Sequence, residues 1–159
     1  MALANRLFFR LYQCANMLHK TGTKALETQG LSTTNWAVLG ALSRPEAQSG
    51  MSVGELARYL KVSRQNLSGL ITRMERDGRL RAVPDAHDRR ARRIALTAQG
   101  RKVWEQDAQP EIRRYYEQTL EGFSINDLTH TLHYLLKLLD NMQRVEVRQG
   151  EAQETETVD

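Results

Sequence analysis

Hydrophobic residues recur every three or four positions along the first part of the chain, a spacing that places them on one side of a helix. The pattern predicts a helix of about seven turns from Leu3 to Thr28, ended by Gly30. A shorter helix is predicted from Thr33 to Leu42, because Ser32 directly before it is a favourable N-cap. The N-terminal part of the chain is therefore expected to be helical.

Two helices with very little chain between them are predicted next. Ser52 and Glu55 form a capping box, in which the serine caps the helix and the glutamate reaches back to the serine backbone. The second helix begins at Ser63, so only Lys61-Val62 separates the two, as in a helix-turn-helix. It is expected to end at Asp77-Gly78. The residues predicted to face the core of this pair are Leu56, Ala57, Leu60, Val62, Leu67, Leu70, Ile71 and Met74.

After Gly78 the hydrophobic period changes from that of a helix to that of a strand. Residues 80–83 and 93–96 alternate between apolar and polar, and the segment between them is polar and rich in arginine. The pattern predicts a two-stranded hairpin with a long basic loop. Residues 80–96 are called the wing below.

Two further helices are predicted after the wing. The first starts at the cap Thr97 and is expected to be kinked at Pro110. The second starts at another capping box, Ser124 with Asp127, and its apolar residues recur at near-heptad spacing. Residues 149–159 are polar and acidic and are predicted to form a flexible tail. The expected fold class is mainly α, with a winged helix-turn-helix between N- and C-terminal helices.

Composition restricts the class of protein. The chain has 159 residues, of which 40% are hydrophobic and 26% charged, as in an ordinary globular protein. It contains no run of eighteen apolar residues, which excludes a membrane span, and its single cysteine cannot form an internal disulfide. A cytoplasmic location is therefore expected. No segment resembles a catalytic triad, a phosphate loop or a catalytic carboxylate pair, so neither an enzyme nor a cofactor is predicted.

Positive charge is concentrated in the centre of the chain. Residues 58–93 contain eleven lysines and arginines and four acids, a net charge of +7, whereas the whole chain carries +4. A basic centre indicates a polyanionic partner, and the alternative is an arginine-rich solvated surface. Because the charge lies on a predicted helix-turn-helix and wing, double-stranded DNA is the favoured partner. The second helix of the pair fits a major groove, and the basic hairpin reaches an adjacent minor groove.

The second helix of the pair carries short hydrogen-bonding groups opposite its apolar side. Such groups can reach base edges, and the arginines beside them can reach phosphates. Gly69 lies among them, and its cost of roughly 1 kcal/mol inside a helix is explained if DNA approaches closely there, which is favoured over the alternative of a neutral surface glycine. The residues predicted to contact DNA are Ser63, Arg64, Gln65, Asn66, Ser68, Gly69, Thr72, Arg73 and Arg76 in the helix, and Arg89, Arg90, Arg92 and Arg93 in the wing.

Four short motifs occur in order along the chain: Ser52-x-x-Glu55-Leu56-Ala57, Val62-Ser63-Arg64-Gln65-Asn66-Leu67, Asp88-Arg89-Arg90 and Leu96-Thr97-x-x-Gly100. Together they resemble the MarR family of winged-helix transcription regulators, over about residues 5 to 145. The resemblance implies a homodimer that binds a pseudo-palindromic operator and usually represses transcription. It also implies that Arg90 enters the minor groove while Asp88 orients its guanidinium. One departure is Lys61, where the family often has glycine.

The outer helices are predicted to form a dimerisation module of residues 1–32 and 98–148, around a DNA-binding module of residues 33–97. Their apolar stripes are too long for so small a winged helix to cover, so the equivalent stripe of a second copy is expected to bury them. Two-fold symmetry would then place two recognition helices, the helix beginning at Ser63 in each copy, about one DNA turn apart. The alternative is a helical bundle within a monomer.

The family resemblance also implies an effector pocket in the crevice between the first two helices, the DNA-binding module and the fifth helix. Small phenolic or aromatic carboxylates, or their CoA thioesters, are the implied ligands. The candidate lining residues are Arg10, Asn16, His19 and Trp36.

Three other hypotheses stay open. Cys14 lies in the first helix, where some members of the family sense peroxide, but a packed structural cysteine is favoured. Asp127, His130 and His133 have a spacing that suits a metal, but without a fourth ligand a solvated surface is favoured and no metal is predicted. A winged helix that binds a protein instead of DNA is disfavoured by the basic, hydrogen-bonding helix face.

Overall fold

The structure, a computed structural model, describes residues 1–85 and 92–156. Its α-helices within these residues are α1 (Ala2–Ala25), α2 (Thr33–Ser43), α3 (Val53–Leu60), α4 (Arg64–Arg76), α5 (Ala98–Lys102), α6 (Gln109–Thr119) and α7 (Ile125–Glu156). Its strands are β1 (Met51–Ser52), β2 (Leu80–Pro84) and β3 (Arg92–Leu96), which form an antiparallel sheet in the order β1-β3-β2. The mainly helical, winged-helix fold class is confirmed.

The chain divides into two compact units, Met1–Gln118 and Thr119–Asp159. The dimerisation and DNA-binding modules proposed from the sequence stay predictions, because the structure describes a single chain.

No helix among the described residues combines the length and apolar character needed to cross a bilayer.

The core of the first unit joins the helix-turn-helix to α2 and the wing. Its most deeply buried large side chains are Val38, Leu39, Leu42, Leu56, Leu67, Met74 and Ile94. The predicted core positions are confirmed except at Val62, which is 39% exposed, and Leu60, which is half-buried. Val62 stays outside the core because it lies in the turn and belongs to neither helix.

The turn between α3 and α4 is as tight as the sequence predicts. Lys61 adopts a left-handed conformation, with φ 57° and ψ 40°, and the Val62 N–H donates to the Ala57 carbonyl at 3.1 Å. The Ser63 hydroxyl accepts from the Asn66 N–H at 3.2 Å and caps α4. A lysine in this conformation costs about 1–2 kcal/mol more than a glycine would, so the departure from the family pattern is tolerated rather than favourable.

The wing forms the predicted hairpin, in which Leu80 pairs with Leu96 and Ala82 with Ile94. The sequence analysis missed β1, whose Met51 pairs with Ile94 from the other side. A strand of two residues is too short to show an alternating pattern, and Ser52 also serves as the N-cap of α3.

The segment after the wing begins at Thr97 as predicted, with the Thr97 hydroxyl accepting from the Gly100 N–H at 2.9 Å. A π-helical segment, Val103–Ala108, lies between α5 and α6, directly before Pro110. Proline has no N–H, and its ring crowds the carbonyl four residues earlier, so a wider turn accommodates it. The irregularity expected at Pro110 therefore takes the form of a π-helical segment.

The second unit begins with the predicted capping box. The Asp127 carboxylate accepts from the Ser124 N–H at 2.9 Å, and the Ser124 hydroxyl accepts from the Asp127 N–H at 3.2 Å. Helix α7 continues through residues 149–156, beyond the predicted end of the last helix, and a flexible tail over residues 149–159 stays a prediction. Alanine, glutamine and glutamate favour helix, so an acidic composition alone does not end one.

Candidate nucleic-acid interface and ligand cavity

Helix α4 buries one side and exposes the other. Leu67, Leu70, Ile71 and Met74 are buried. All of its predicted DNA-contacting residues, together with its N-cap, are exposed: Ser63, Arg64, Gln65, Asn66, Ser68, Gly69, Thr72, Arg73 and Arg76. The structure thus brings these nine residues together on one helix, and their exposed side is called the α4 surface below.

Several side chains of the α4 surface are available to an outside ligand. Among the described residues, the side chains of Arg64, Gln65 and Arg73 have no hydrogen-bond or ion-pair partner. The hydroxyls of Ser68 and Thr72 donate to helix carbonyls at 2.8 and 3.1 Å and can still accept a further hydrogen bond. Free guanidinium and amide groups suit phosphates and base edges.

Gly69 has no packing role within the chain. A Cβ at this position would meet only the Arg73 guanidinium, at 3.8 Å, which is ordinary van der Waals contact. The contacts within the chain therefore leave room for alanine at an exposed helical position where glycine is costly. Packing among the described residues therefore does not require this glycine, and close approach of DNA stays the predicted reason for it.

Replacing Gly69 with alanine is expected to raise the free energy of unfolding by about 0.5–1 kcal/mol, because the helix gains a better helix former. The same change is expected to weaken DNA binding, since a methyl group would hold the backbone away from the groove. Urea denaturation and gel-shift titration measure the two effects.

The matched control is Gly54→Ala in α3, where a Cβ would meet only the Ser52 hydroxyl at 4.0 Å. We expect this control to leave DNA affinity unchanged. Unaltered DNA affinity in Gly69→Ala would mean that DNA does not approach α4 at this point.

The arginines at the base of the wing contact the helix-turn-helix. Arg92 bonds to both carboxylate oxygens of Glu75 in α4. Arg93 is turned inward with its side chain only 22% exposed, which replaces the predicted DNA contact by internal ones. Neighbouring strand residues point to opposite faces, so the two arginines diverge. Three predicted wing residues lie outside the described residues and stay predictions: Asp88, Arg89 and Arg90.

A small apolar cavity that is open to solvent on one side lies between α1, α2 and α6. Its walls are mostly aliphatic and aromatic, with two tyrosines and a tryptophan. Its lining residues, which define the cavity below, are Leu18, Gly22, Ala25, Leu26, Thr33, Trp36, Ile112, Tyr115 and Tyr116.

Of the four predicted effector residues, Trp36 alone lines the cavity. Arg10 is exposed and donates to the Gln13 side chain at 2.7 Å. Asn16 and His19 are also exposed, and the His19 carbonyl accepts from the Thr33 hydroxyl at 3.0 Å. The face of α1 that lines the cavity carries Leu18, Gly22 and Ala25, which are four and three residues apart. Residues 16 and 19 therefore lie on other faces of the helix.

Hydroxyl and indole groups supply the polar contacts at the cavity. The Tyr115 and Thr21 hydroxyls are hydrogen-bonded at 2.8 Å. Burial raises the pKa of the Tyr116 hydroxyl, and a hydrogen bond from Trp36 partly opposes the rise. The sequence analysis missed both tyrosines, although an adjacent tyrosine pair in a charged helix breaks the expected apolar pattern. A mostly apolar wall with a few placed polar groups is typical of small-molecule sites.

An open groove continues from the cavity, with which it shares Trp36, Ile112 and Tyr116. Trp104, Gln109 and Arg113 complete its lining. Arg113 is exposed and has no ion-pair or hydrogen-bond partner among the described residues. A cation therefore stands beside an aromatic cavity.

The open hypotheses about Cys14 and the histidines change with the structure. The prediction of a packed cysteine is wrong for the isolated chain, because Cys14 is exposed on α1. The rings of His130 and His133 lie near Tyr134, at centroid distances of 6.5 and 5.2 Å. The described residues contain no group of three potential metal ligands.

Comparison with known proteins decides the family. Residues 29–91 match the model of the MarR family. The whole chain is 67% identical over 159 residues to the transcriptional activatory protein BadR of Rhodopseudomonas palustris, and covers 90% of that protein. The chain belongs to the MarR family. It is also 28% identical over 121 residues to the homoprotocatechuate degradative operon repressor of Escherichia coli, which is 74% of this chain and 79% of that one.

The MarR fold is shared with the crystal structure of CouR from Rhodococcus jostii RHA1 bound to p-coumaroyl-CoA. That structure has a TM-score of 0.74 and 24% identity, over 86% of this chain and 93% of the other. This chain is therefore a transcription regulator of the MarR family, as the sequence predicts. Its relatives are regulators and not enzymes.

Proposed function

We propose that this protein is a dimeric regulator that binds a pseudo-palindromic operator through the α4 surface and the wing, and that an aromatic ligand in the cavity alters this binding. The observation that carries the proposal is the α4 surface itself, where nine polar or small residues are exposed opposite a fully apolar side. Partner-free arginine and glutamine side chains on one helix match what a major groove requires.

Exposed apolar residues on α1 and α7 support the dimer. The N-terminal half of α1 exposes Leu3, Leu7, Phe8, Phe9 and Tyr12. Helix α7 exposes Ile125, Leu128, Leu132, Leu135, Leu136, Leu139, Met142, Val145 and Val147. So many large apolar side chains exposed on a single helix favour an interface with another chain. A two-fold axis would give two recognition helices and a symmetric operator.

The chemistry of the cavity and of the groove beside it supports an aromatic acid or its CoA thioester as the ligand. The aliphatic and aromatic side chains that line the cavity suit the face of an aromatic ring. Arg113 in the groove offers a cation to a carboxylate, or to the polar part of a thioester that the cavity itself could not hold. Homoprotocatechuate, after which the E. coli repressor is named, and p-coumaroyl-CoA, which is bound in the CouR structure, are both aromatic compounds, and this agrees with the proposed ligand class.

Activation is the sign of regulation that we favour. The resemblance to the family implies repression, and the E. coli relative is named a repressor. The relative with 67% identity is named an activator, and it covers the whole chain. A reporter gene behind the protein's own operator should therefore be expressed more strongly when both protein and ligand are present, and weaker expression would indicate repression.

Ligand binding can be measured directly, because both tryptophans of the chain line the site. Benzoate, p-coumarate and p-coumaroyl-CoA are suitable probes, and at least one is expected to quench tryptophan fluorescence saturably. Binding of that probe and of operator DNA should be coupled by about 1–3 kcal/mol, and the coupling must be equal in both directions.

Arg113→Gln is expected to weaken binding of the probe that quenches the fluorescence about tenfold, because the charge-assisted contact between the guanidinium and the acidic group of the probe is lost. The matched control is Arg114→Gln, whose arginine pairs with Glu111 at 3.0 Å and does not line the groove. Quenching by none of the probes, or identical affinities with and without operator DNA, would contradict the ligand part of the proposal.

A further inference from the structure

Strand β3 carries two adjacent arginines that attach the wing to both helices of the helix-turn-helix. Arg92 reaches the carboxylate of Glu75 in the second half of α4. Arg93, on the other face of the strand, reaches the N-terminus of α3. The backbone pairing of the wing with the start of the helix-turn-helix is limited to two positions, Met51 with Ile94 and Ser52 with Arg93.

The Arg93 guanidinium joins three separate segments of the chain. Its Nε and Nη2 atoms donate to the Gly50 carbonyl at 3.2 and 2.7 Å. Its Nη1 atom donates to the Asp85 carboxylate at 3.1 Å, and Nη2 lies 3.2 Å from the Glu55 carboxylate. The planar fork of a guanidinium can serve several acceptors at once, which an ammonium group cannot do in the same geometry.

Each partner of Arg93 is itself held in place. Gly50 has φ +81°, and a Cβ there would lie 2.8 Å from the Ile94 carbonyl oxygen, so this loop is pressed against β3. The Glu55 carboxylate accepts from the Ser52 N–H at 2.6 Å as part of the α3 capping box. That hydrogen bond lowers the pKa of Glu55, and the charge of Arg93 lowers it further, so the carboxylate stays ionised.

The third partner belongs to the wing. Asp85 directly follows β2, at the point where the chain leaves the hairpin stem. Its side chain is only 16% exposed in the ion pair with Arg93. Arg93 therefore pairs with one carboxylate in α3 and with another at the end of the first strand of the wing.

We propose that Arg93 is a positioning residue for DNA recognition, which sets the direction of the wing relative to α3 and α4 without touching DNA itself. This inference rests on the proposed binding of DNA by the α4 surface and the wing. Leu80 and Ile94 hold the base of the hairpin in the core, and Arg93 ties its outer end, through Asp85, to Gly50 and Glu55. Loss of Arg93 therefore lets the outer part of the wing turn away from the groove while α4 stays in place.

The test uses the full-length protein and a duplex selected by the wild type from a random-sequence library. Arg93→Gln removes the charge, and Arg93→Lys keeps the charge but loses the fork. Arg90→Ala removes the predicted minor-groove contact, and Gln65→Ala on α4 serves as the matched control. Affinities are measured at several salt concentrations, and thermal unfolding establishes that each variant is folded at the temperature of the assay.

Arg93→Gln is expected to weaken binding about tenfold and to make the dimer's slope of log affinity against log salt shallower by about two, as Arg90→Ala does. The double variant Arg90→Ala/Arg93→Gln should bind no more weakly than Arg90→Ala, because both changes remove the same contact. Gln65→Ala combined with Arg93→Gln should show independent losses that multiply. Arg93→Lys should lie between the wild type and Arg93→Gln.

Three results would overturn the inference. Unchanged affinity and salt slope in Arg93→Gln would show that the wing keeps its direction without Arg93, and Arg93→Lys decides the same question if the glutamine variant does not fold. Multiplying losses in Arg90→Ala/Arg93→Gln would show that Arg93 acts independently of the wing tip. A neutral Arg90→Ala would leave the wing without a contact to position. Failure of the wild type to select any duplex would instead contradict the proposed function.

Discussion

Replacing Leu132 and Leu139 with glutamate is expected to give a folded monomer that binds operator DNA at least about a hundred times more weakly than the wild type. Both leucines lie on α7 and are 58% and 40% exposed in the single chain, so their replacement leaves little internal packing to lose. In the proposed dimer the same positions would be buried, and two charges there would have to be desolvated without partners. Each half of the operator would then be bound separately.

Light scattering after size-exclusion chromatography measures the mass, and gel-shift titration measures the affinity. The matched control is Lys137→Glu on the same helix, at an exposed polar position, which changes the net charge by the same two units. We expect this control to remain a dimer with nearly unchanged thermal stability. A wild type that is monomeric at micromolar concentration, or a double variant that stays dimeric, would place the interface elsewhere.

Gly100→Ala is expected to lower the free energy of unfolding by about 3 kcal/mol. A Cβ at position 100 would lie 1.9 Å from the Arg79 carbonyl oxygen, a distance at which the backbone must move. That carbonyl also accepts from the Thr97 N–H and hydroxyl, both at 3.1 Å, so moving it disturbs the N-cap of α5. The glycine is therefore required where the start of the wing crosses the start of α5.

Urea denaturation followed by circular dichroism measures this loss. The matched control is Gly150→Ala in α7, where a Cβ would have nothing within 4 Å, and where alanine is expected to be neutral or slightly stabilising. A variant at position 100 as stable as the wild type would mean that the crossing of α5 over Arg79 relaxes without cost.

The starts of the helices could be predicted from the sequence, because each depends on an N-cap residue and the residue three positions after it. The capping boxes at Ser52 with Glu55 and at Ser124 with Asp127 are confirmed, as are the caps Ser63 and Thr97. The end of α7 was not accessible in this way. No local stop signal lies there, and composition alone was a poor guide.

The two parts of the candidate site also differ in how far the sequence predicts them. The α4 surface could be predicted from one helix, because its apolar and polar sides follow from a single period of 3.6 residues. The ligand cavity could not, since it needs residues of α1 and α6 that are far apart in the chain, as in the hydrogen bond between Thr21 and Tyr115. Arg10, Asn16 and His19 do not line it, because α1 alone does not indicate which face meets α6, and their part in effector binding stays a prediction.

The sequence by itself determined the helix-turn-helix, the hairpin and the basic, hydrogen-bonding helix face, all of which arise from periodicity and capping within a few residues. Only the tertiary structure decided that β1 completes the sheet, that two tyrosines line the cavity, and that Arg93 faces inward while Arg92 reaches α4. The reason is physical. The partners of Arg93 include a carbonyl 43 residues earlier in the chain, and the free energy of such a contact exists only once the chain has brought the two segments together.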